Sequence, residues 1–526
     1  MRPSDAAGRV AGGPASRAAL LAACVGAVGG VLVELLPVVG GDLVAQRWWL
    51  SWAASAGGQP VDLAWYAGSP AFSYSLLAPW VLLGLGPAVA GVTSTTAGAW
   101  AVTTLLTRAG AVRLRAVAVA AALGFLANQL TGRTTFAMGT AVALVALVAA
   151  RTPRLAPGPR RTATVALAAV SGALSPVSAV LLGLAAAAWW WAAAPRSRPG
   201  WDTLALLLGA ALPLLTMVVL GAAGGPMTGT AHQMVAAVLA TLLVLAVAGR
   251  RLPAVSVGAT LTVLLLLATW VLPDPMGSNT TRMVLLFAAP VLVGVPGRDP
   301  VLVGLAAAMV TWLLPPLIPG DLVPRDPTAQ DAAAAPLLAE LDRRGPVGRV
   351  EVVPLADHSD AALGQHVPLA RGWTRQLDVA RNPLFYDGTL DAAAYLDWLR
   401  ARGVSYVVSS VRRPDWAARA EADLVVSGVP GLDPVWSDGT WTLWSVDGPG
   451  VVLSGSATVL ASDRRELHLG VEAPGDVVLS LFWDARLVLH GEGCLAPGAS
   501  PGTVVLRAET PGTVTVTSGW RPSGHC

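Results

Sequence analysis

The chain has 526 residues, of which 54% are hydrophobic and 13% charged. A soluble chain of this size carries about 25% charged residues, so a purely water-soluble protein is excluded. The formal net charge of +3 hides a division: residues 1–317 hold 18 arginines against 7 carboxylates, and residues 318–526 hold 17 against 25. The first part reads as membrane-embedded and the second as acidic and water-facing. The basic residues are all arginine, which reflects coding bias and not chemistry. The arginine excess lies between apolar runs, so no nucleic-acid partner is expected.

Residues 1–17 form a polar, arginine-dotted tail expected in the cytoplasm, without a cleavable signal pattern. Apolar runs follow at about 18–40, 71–107, 114–131, 134–150, 162–174, 176–194, 202–222, 231–249, 253–272, 281–296 and 299–317. Nearly all are long enough to span a bilayer as helices. The run 71–107 is too long for one simple span; it is either two short helices or one span with an interfacial or re-entrant piece. The pair 162–174 and 176–194 breaks at Ser175-Pro176, and its first member is too short to cross unaided. Cys24 and the Gly26/Gly30 pair in the first span are expected to pack against other helices.

Arginine placement sets the topology. If 71–107 is one net crossing, the inside loops hold Arg108, Arg113, Arg115, Arg151, Arg154, Arg160, Arg161, Arg196, Arg198, Arg250, Arg251 and Arg298. The outside loops hold only Arg47, Arg133 and Arg282. The result is about 11 crossings with the N-terminus cytoplasmic and the C-terminal half extracytoplasmic. Asp42, Asp62 and Asp274 then lie on the same outer face as the three outside arginines.

After the spans, 318–335 is rich in Asp, Pro and Ala and is expected to be a linker. Residues 336–448 read as an α/β domain. It has a strand from Gly348, a helix over Leu390–Arg402, a buried strand after Gly403 and another from Trp441. Residues 449–526 change to short alternating strands between Gly, Pro and Asp turns, at Ala457–Leu460, Arg465–Val471, Val477–Trp483, Gly502–Ala508 and Gly512–Ser518, which is a small β-sandwich pattern. Cys494 and Cys526 lie in this outside part, where disulfides persist; they either bridge and tie down the chain end or remain two thiols.

The outer loop 41–70 is the most informative segment. It opens Gly41-Asp42-Leu43-Val44-Ala45-Gln46-Arg47-Trp48-Trp49 and continues through Asp62, Trp65, Tyr66, Gly68, Pro70 and, beyond it, Tyr74. Leu43–Ala56 can lie along the interface as an amphipathic helix with Trp48, Trp49 and Trp52 at headgroup depth. A carboxylate at that level can take a proton from an acceptor hydroxyl. Asp42 is the first candidate and Asp62 the second; the bland alternative for each is a helix-end or solvated charge.

Further polar breaks at the outer face are Asn128–Gly139, Leu174–Ser178 and Asp274–Arg282. In these breaks Arg133 and Arg282, with Arg47 from the first loop, can grip a phosphate, because guanidinium binds it bidentately; the bland alternative is snorkelling to headgroups. Asn279 sits in the last break. In the outside domain, Arg371, Trp373, Arg375, Asp378 and Tyr386 mix aromatics and charge over a short stretch, as sugar sites do. The competing reading makes Trp373 and Tyr386 part of a core. There is no Walker-A loop and no dinucleotide fingerprint, and the six histidines are scattered.

An acid just after span one, a long first outer loop, many later spans and an outside α/β-plus-β region resemble the GT-C class of integral membrane glycosyltransferases. The motifs Gly-Asp-Leu-Val-Ala-Gln, Trp-Tyr-Ala-Gly-Ser-Pro, Gly-Arg-Thr-Thr-Phe-Ala-Met-Gly, Leu-Ser-Pro-Val-Ser and Gly-Ser-Asn-Thr-Thr-Arg resemble an actinobacterial group of multi-pass membrane proteins. The resemblance implies transfer of a sugar from a polyprenyl-phosphate donor to a cell-envelope glycan, lipid or protein acceptor, at the outer face of the cytoplasmic membrane and with inversion. It implies Asp42 as base or metal ligand, but the chain lacks the adjacent acidic pair of some members, so no metal ligand is assigned and a divalent ion is left open. Acceptor contacts are expected from Trp65, Tyr66 and Tyr74. The alternatives are a transporter of a lipid-linked glycan or small solute, and a non-catalytic scaffold of envelope assembly. No internal repeat, the odd span count and the large exterior part argue against the transporter.

Overall fold

The computed structural model describes residues 13–55, 57–193, 200–221, 224–227, 229–314 and 322–526. Most of the N-terminal tail, Arg2, Arg9, Arg196, Arg198 and the start of the expected linker lie outside the described residues. The chain divides into two compact units: Met1–Leu36 with Tyr74–Leu220 and Pro226–Ile318, and Pro37–Ser73 with Gly221–Gly225 and Pro319–Cys526.

The helices up to residue 314 are α1 (Pro14–Glu34), α2 (Asp42–Ser55, in the second unit), α3 (Ala78–Leu85), α4 (Pro87–Arg108), α5 (Leu114–Leu130), α6 (Thr134–Ala150), α7 (Pro157–Leu174), α8 (Pro176–Ala192), α9 (Gly200–Val219), α10 (Ala231–Ala248), α11 (Pro253–Val271), α12 (Thr281–Gly294) and α13 (Pro300–Leu313). Every apolar run of the sequence thus contains a helix. Proline at the first turn starts α1, α4, α7, α8, α11 and α13, where its missing N–H is not needed.

Among the described residues, α1, α9, α10 with its extension to Arg251, and α11 are long and apolar enough to cross a membrane. The protein is a multi-pass membrane protein. The bent pair α3 and α4 is a fifth candidate, while α5, α6, α8 and α13 are shorter apolar helices, so the expected figure of 11 full crossings is not reached by helix length among the described residues.

Two boundaries differ from expectation, and the run 71–107 breaks within the forms expected of it. Span one ends at Glu34 and not Gly40, because Val38–Gly40 is a strand. The run 71–107 becomes α3 and α4, bent by 107° at Gly86, whose φ of +76° favours glycine. Helix α7 begins at Pro157 and has 18 residues, about 27 Å; hydropathy hid its first turns because Arg160 and Arg161 lie there, both paired with Asp202.

In the helical unit, α1 packs on α4 and α5. A Cβ on Gly26 would lie 3.2 Å from the Thr95 carbonyl, and one on Gly30 would lie 3.2 Å from Gln129 Oε1. The small-residue pair therefore lets backbones approach, as expected. Gln129 is buried there and donates to the Gly30 carbonyl at 3.1 Å and to Glu34 at 2.6 Å, while Thr95 donates to it at 2.8 Å. Cys24 is exposed on the helix surface and not packed as expected: it lies on the face of α1 turned away from α4 and α5.

The second unit begins with β1 (Val38–Gly40), β2 (Val61–Asp62) and β3 (Ser69–Pro70). β4 (Leu322–Pro324) pairs antiparallel with β1, and α14 (Pro327–Arg343) follows. Most of the expected linker is therefore structured: Asp326 caps α14 by accepting from the Thr328 amide, a start signal masked by the surrounding Pro and Ala.

Next come β5 (Val350–Val352), α15 (Asp360–Leu363), α16 (Arg375–Arg381), α17 (Ala392–Ala401), β6 (Tyr406–Ser410), α18 (Arg419–Ser427), β7 (Leu432–Ser437) and β8 (Trp441–Val446). The sheet order is β5-β6-β8-β7, with only β5 and β6 parallel.

The chain ends in β9 (Val452–Ser454), β10 (Ala457–Ser462), β11 (Leu467–Val471), β12 (Gly475–Ser480), β13 (Leu487–His490), β14 (Gly493–Pro497), β15 (Thr503–Ala508) and β16 (Gly512–Ser518). They form two four-stranded sheets, β10-β11-β16-β13 and β14-β15-β12-β9. Leu467, Leu469 and Val471 alternate inward along β11, the period-2 pattern of a half-buried strand. Cys494 and Cys526 form a disulfide. Val61 and Leu63 of the first outer loop join the sandwich core, so this loop folds as part of the C-terminal unit.

Candidate functional site

Asp42 opens helix α2 in its first turn, where a carboxylate is favoured by the helix dipole. Trp49 lies two turns further along the same face of α2. Its ring meets Trp373 edge-on at 4.6 Å, and the His358 ring lies 6.5 Å from Trp373. Gly41 is required beside Asp42: a Cβ there would overlap the Asp357 carbonyl. The turn that carries His358 therefore rests on the residue preceding Asp42.

That turn is firmly held. Asp357 Oδ1 accepts from the Ser359 amide and hydroxyl at 3.0 and 2.7 Å, and Arg412 pairs with Asp357 at 3.5 Å. Leu355 N donates to Asp360 at 3.0 Å. His358 itself has φ +57°, a left-handed conformation unusual for a non-glycine residue and enriched in functional turns. Trp49, Trp373 and His358 thus form one aromatic group, and Asp42 stands at the start of the helix that carries Trp49. The sequence offered Asp42 and Trp373 as candidates but gave His358 no signal beyond the polar run Asp357–Asp360.

Asp62, the second expected catalytic acid, is an internal group. It is 3% exposed, accepts from the Ala64 amide at 3.1 Å and pairs with Arg464 at 3.2 Å. The Arg464 guanidinium lies 3.9 Å over Trp48, whose ring is 4.1 Å from that of Trp65. Burial pushes the Asp62 carboxyl up to about 6, against the pull of Arg464. The folded protein then keeps a proton that the unfolded chain releases, so stability falls as pH rises from about 4 to about 6. The loss from this one group is about 3 kcal/mol. Asp360, pushed up to about 6 by burial, adds to it in the same direction. Melting temperature followed from pH 4 to pH 7 should show a shallower pH slope in Asp62→Asn than in wild type; identical slopes would refute this role.

Other expected contacts in this unit prove structural. Tyr66 is buried, with its hydroxyl donating to the carbonyls of Gly372 and Thr374. Tyr66, Ala67 and Gly68 all have positive φ, and Arg381 clasps the turn by donating to the carbonyls of Tyr66 and Gly68 at 2.7 Å each. Trp65 is buried between Trp48 and Trp373. Arg47 donates to the Arg325 carbonyl at 2.6 Å, which anchors α2 to the end of β4. A phosphate role for Arg47 and acceptor roles for Trp65 and Tyr66 are not what these positions present.

The stretch Arg371–Tyr386 forms a buried charge cluster. Arg371 donates to both oxygens of Asp378 at 3.0 and 2.9 Å and to Glu421 at 2.6 Å, with Glu351 at 3.5 Å. Its guanidinium carbon lies 3.5 Å over the Phe385 ring. Tyr395 donates to Glu421 at 2.8 Å and Tyr386 to Asp378 at 2.5 Å. Arg375 bonds Tyr386 at 2.8 Å and Asp415 at 2.6 Å. Burial and then the neighbouring Glu421 push the Glu351 carboxyl well up. Burial also pushes Asp378 up, but Arg371 overrides it and holds the group below the usual range. Arg371 and Asp378 are interior links between β5, α16 and α18, not sugar ligands; Arg375 and Tyr386 serve the same network.

In the helical unit, Arg133 is the residue before α6 and Arg282 lies in the first turn of α12. The Arg282 guanidinium carbon sits 5.3 Å over the ring of Phe136, which belongs to the first turn of α6. The two arginines expected to bind phosphate thus flank one helix start, and each accompanies a helix N-terminus, where anions are favoured. Asn279 is buried in the turn Gly277–Thr280. Asp274 holds that turn by accepting from the Met276 and Gly277 amides at 2.7 and 3.0 Å. Tyr74 is half-buried beside Ser75, whose hydroxyl bonds the carbonyls of Ala173 and Leu174. Among the described residues no three His, Cys, Asp or Glu side chains gather as a metal site.

No family profile matches the sequence, and no curated protein matches it. Among solved structures the chain is similar to arabinofuranosyltransferase AftD from mycobacteria, with 16% identity, 96% of this chain and 60% of that chain covered, and a TM-score of 0.47. It is also similar to ArnT from Cupriavidus metallidurans, with 15% identity, 81% and 97% covered, and a TM-score of 0.45. Both are GT-C glycosyltransferases. The chain spans about 60% of the length of AftD, and neither likeness bears on its substrate or reaction.

Proposed function

We propose that this protein is a GT-C-type membrane glycosyltransferase. It moves a sugar from a polyprenyl-phosphate donor to a cell-envelope glycan, lipid or protein acceptor at the outer face of the cytoplasmic membrane. The observation that carries the reading is the placement of Arg133 and Arg282 at two helix starts joined through Phe136. Two guanidiniums beside the N-terminus of α6, at the end of an apolar bundle, offer the chemistry that would hold a lipid phosphate.

Asp42 accepts the proton of the acceptor hydroxyl as its oxygen attacks the anomeric carbon. The bond from that carbon to the phosphate oxygen breaks, and the electron pair leaves with the polyprenyl phosphate. A single displacement inverts the anomeric centre. Trp373 and His358, both half-buried in the same unit as Asp42, are the aromatic rings offered to a sugar, with Trp49 packed behind Trp373.

The test is a transfer assay with purified protein in nanodiscs, a panel of polyprenyl-phosphate sugars and envelope acceptors, and polyprenyl phosphate release as readout. Release that falls in Arg133→Ala together with donor binding supports the reading. No release across the panel by folded wild type would overturn it.

A further inference from the structure

We infer that the helical unit carries a site for an anionic glycerophospholipid, at the end of the bundle opposite the helix starts that hold Arg133 and Arg282. A partly open cavity of about 270 Å³ lies among α4, α6, α8, α10, α11 and α12. Along α6 it runs from Thr140 to Arg151, a length of about 17 Å at 1.5 Å per residue. Its lining is overwhelmingly apolar. The hydroxyls in it are already bonded within the protein: Thr140 with Ser178 at 3.0 Å, Thr241 to the Ala237 carbonyl at 2.7 Å and Thr262 to the Gly258 carbonyl at 2.8 Å. Such a wall offers a ligand no polar partner along its length and suits a hydrocarbon chain.

The charge sits at one end. Arg151 is the one charged residue lining the cavity, and its guanidinium carbon lies 5.2 Å over the Trp189 ring, also in the wall. Arg108, the last residue of α4, stands between the lining residues Leu106 and Ala109 and donates to the carbonyls of Val148 and Arg151 at 3.0 and 3.3 Å. Arg154 is close enough to bear electrostatically on Arg108. Among the described residues none of these three arginines is in an ion pair, whereas nearby Arg160 and Arg161 share Asp202. Three like charges gathered without a carboxylate at the mouth of an apolar slot match an anionic headgroup on an acyl chain. An abundant phospholipid is the occupant we assign, because the donor phosphate is proposed to be held by the arginines at the other end of α6.

The test uses full-length protein in neutral detergent with equimolar dioleoylphosphatidylglycerol and dioleoylphosphatidylcholine, and native mass spectrometry counts the retained lipid. Each arginine near an anionic headgroup contributes about a fivefold preference, so wild type should favour the glycerol lipid by roughly tenfold or more. Arg108→Gln with Arg151→Gln should bring the ratio near one. Rising salt should erode the preference in wild type without any substitution. Gly258→Leu keeps the arginines but fills the slot; Gly258 has room for a side chain, its nearest neighbour across the slot being Ala188 at 3.6 Å. It should lower retention of both lipids. Equal retention of the two lipids by wild type, or undiminished retention in Gly258→Leu, overturns the site. Displacement of the bound lipid by undecaprenyl phosphate at lower concentration than by phosphatidylglycerol overturns the phospholipid assignment.

Discussion

Asp42→Asn is expected to leave the protein folded and to lower sugar transfer by about 10²- to 10⁴-fold, the range a positioned general base contributes. The substitution separates the two roles open to this residue. As a first-turn acid of α2, Asp42 stabilises the helix by about 0.3–1 kcal/mol through the dipole, and asparagine gives that up. As a base it loses its function entirely, because an amide accepts no proton at neutral pH. The measurement is turnover of wild type and variant on the same donor and acceptor, with thermal unfolding of both as the folding control. Turnover within a few-fold of wild type would remove Asp42 from the chemistry and favour the scaffold reading.

Arg371→Met is expected to destabilise the C-terminal unit by about 3–5 kcal/mol, because it strands buried carboxylates without their cation. A unit of this size would melt roughly 10 °C lower. The physical reason lies in the surroundings. Arg371, Glu351 and Glu421 are fully buried, Asp378 is 1% exposed, and a guanidinium with five donors serves three acids. Asp378 and Glu421 are held directly by Arg371, at 2.9 and 2.6 Å.

The triple variant Arg371→Met, Asp378→Asn, Glu421→Gln removes the stranded charges together with the cation and should recover a good part of the loss. Intrinsic-fluorescence melts of the full chain check both. An unchanged melt for Arg371→Met would show that the cluster is not what joins β5, α16 and α18.

The two substitutions separate what each part of the sequence conveyed. Asp42 was legible because it stands alone at the start of an outer loop, beside a long apolar run, where a charge has few reasons to be. The Arg371–Tyr386 stretch was legible only as a mixture of charge and aromatics, which is the composition of a sugar site and of a buried ion cluster alike. Telling them apart needs Glu351 and Glu421, which stand well away from Arg371 in sequence and meet it only when β5 and α18 pack.

The same applies to Asp62, whose partner Arg464 comes from the other end of the chain. His358 carried no signal of its own. Its interest comes from a backbone conformation and from the overlap that forbids a side chain on Gly41.

The sequence by itself determined the helices of the membrane part, their proline starts, the Ser175-Pro176 break, the close approach at Gly26 and Gly30, and most strands of the two soluble folds. These follow from hydropathy and from residue periods of 3.6 and 2, which are local properties. Only the tertiary structure decided that the first outer loop belongs to the C-terminal unit, where Val61 and Leu63 enter the sandwich core and β1 pairs with β4. It also decided that most of the expected linker is a strand and a helix, and which charged residues are interior. Strand pairing and the burial of a charge depend on partners hundreds of residues away, and a local pattern of residues carries no record of them.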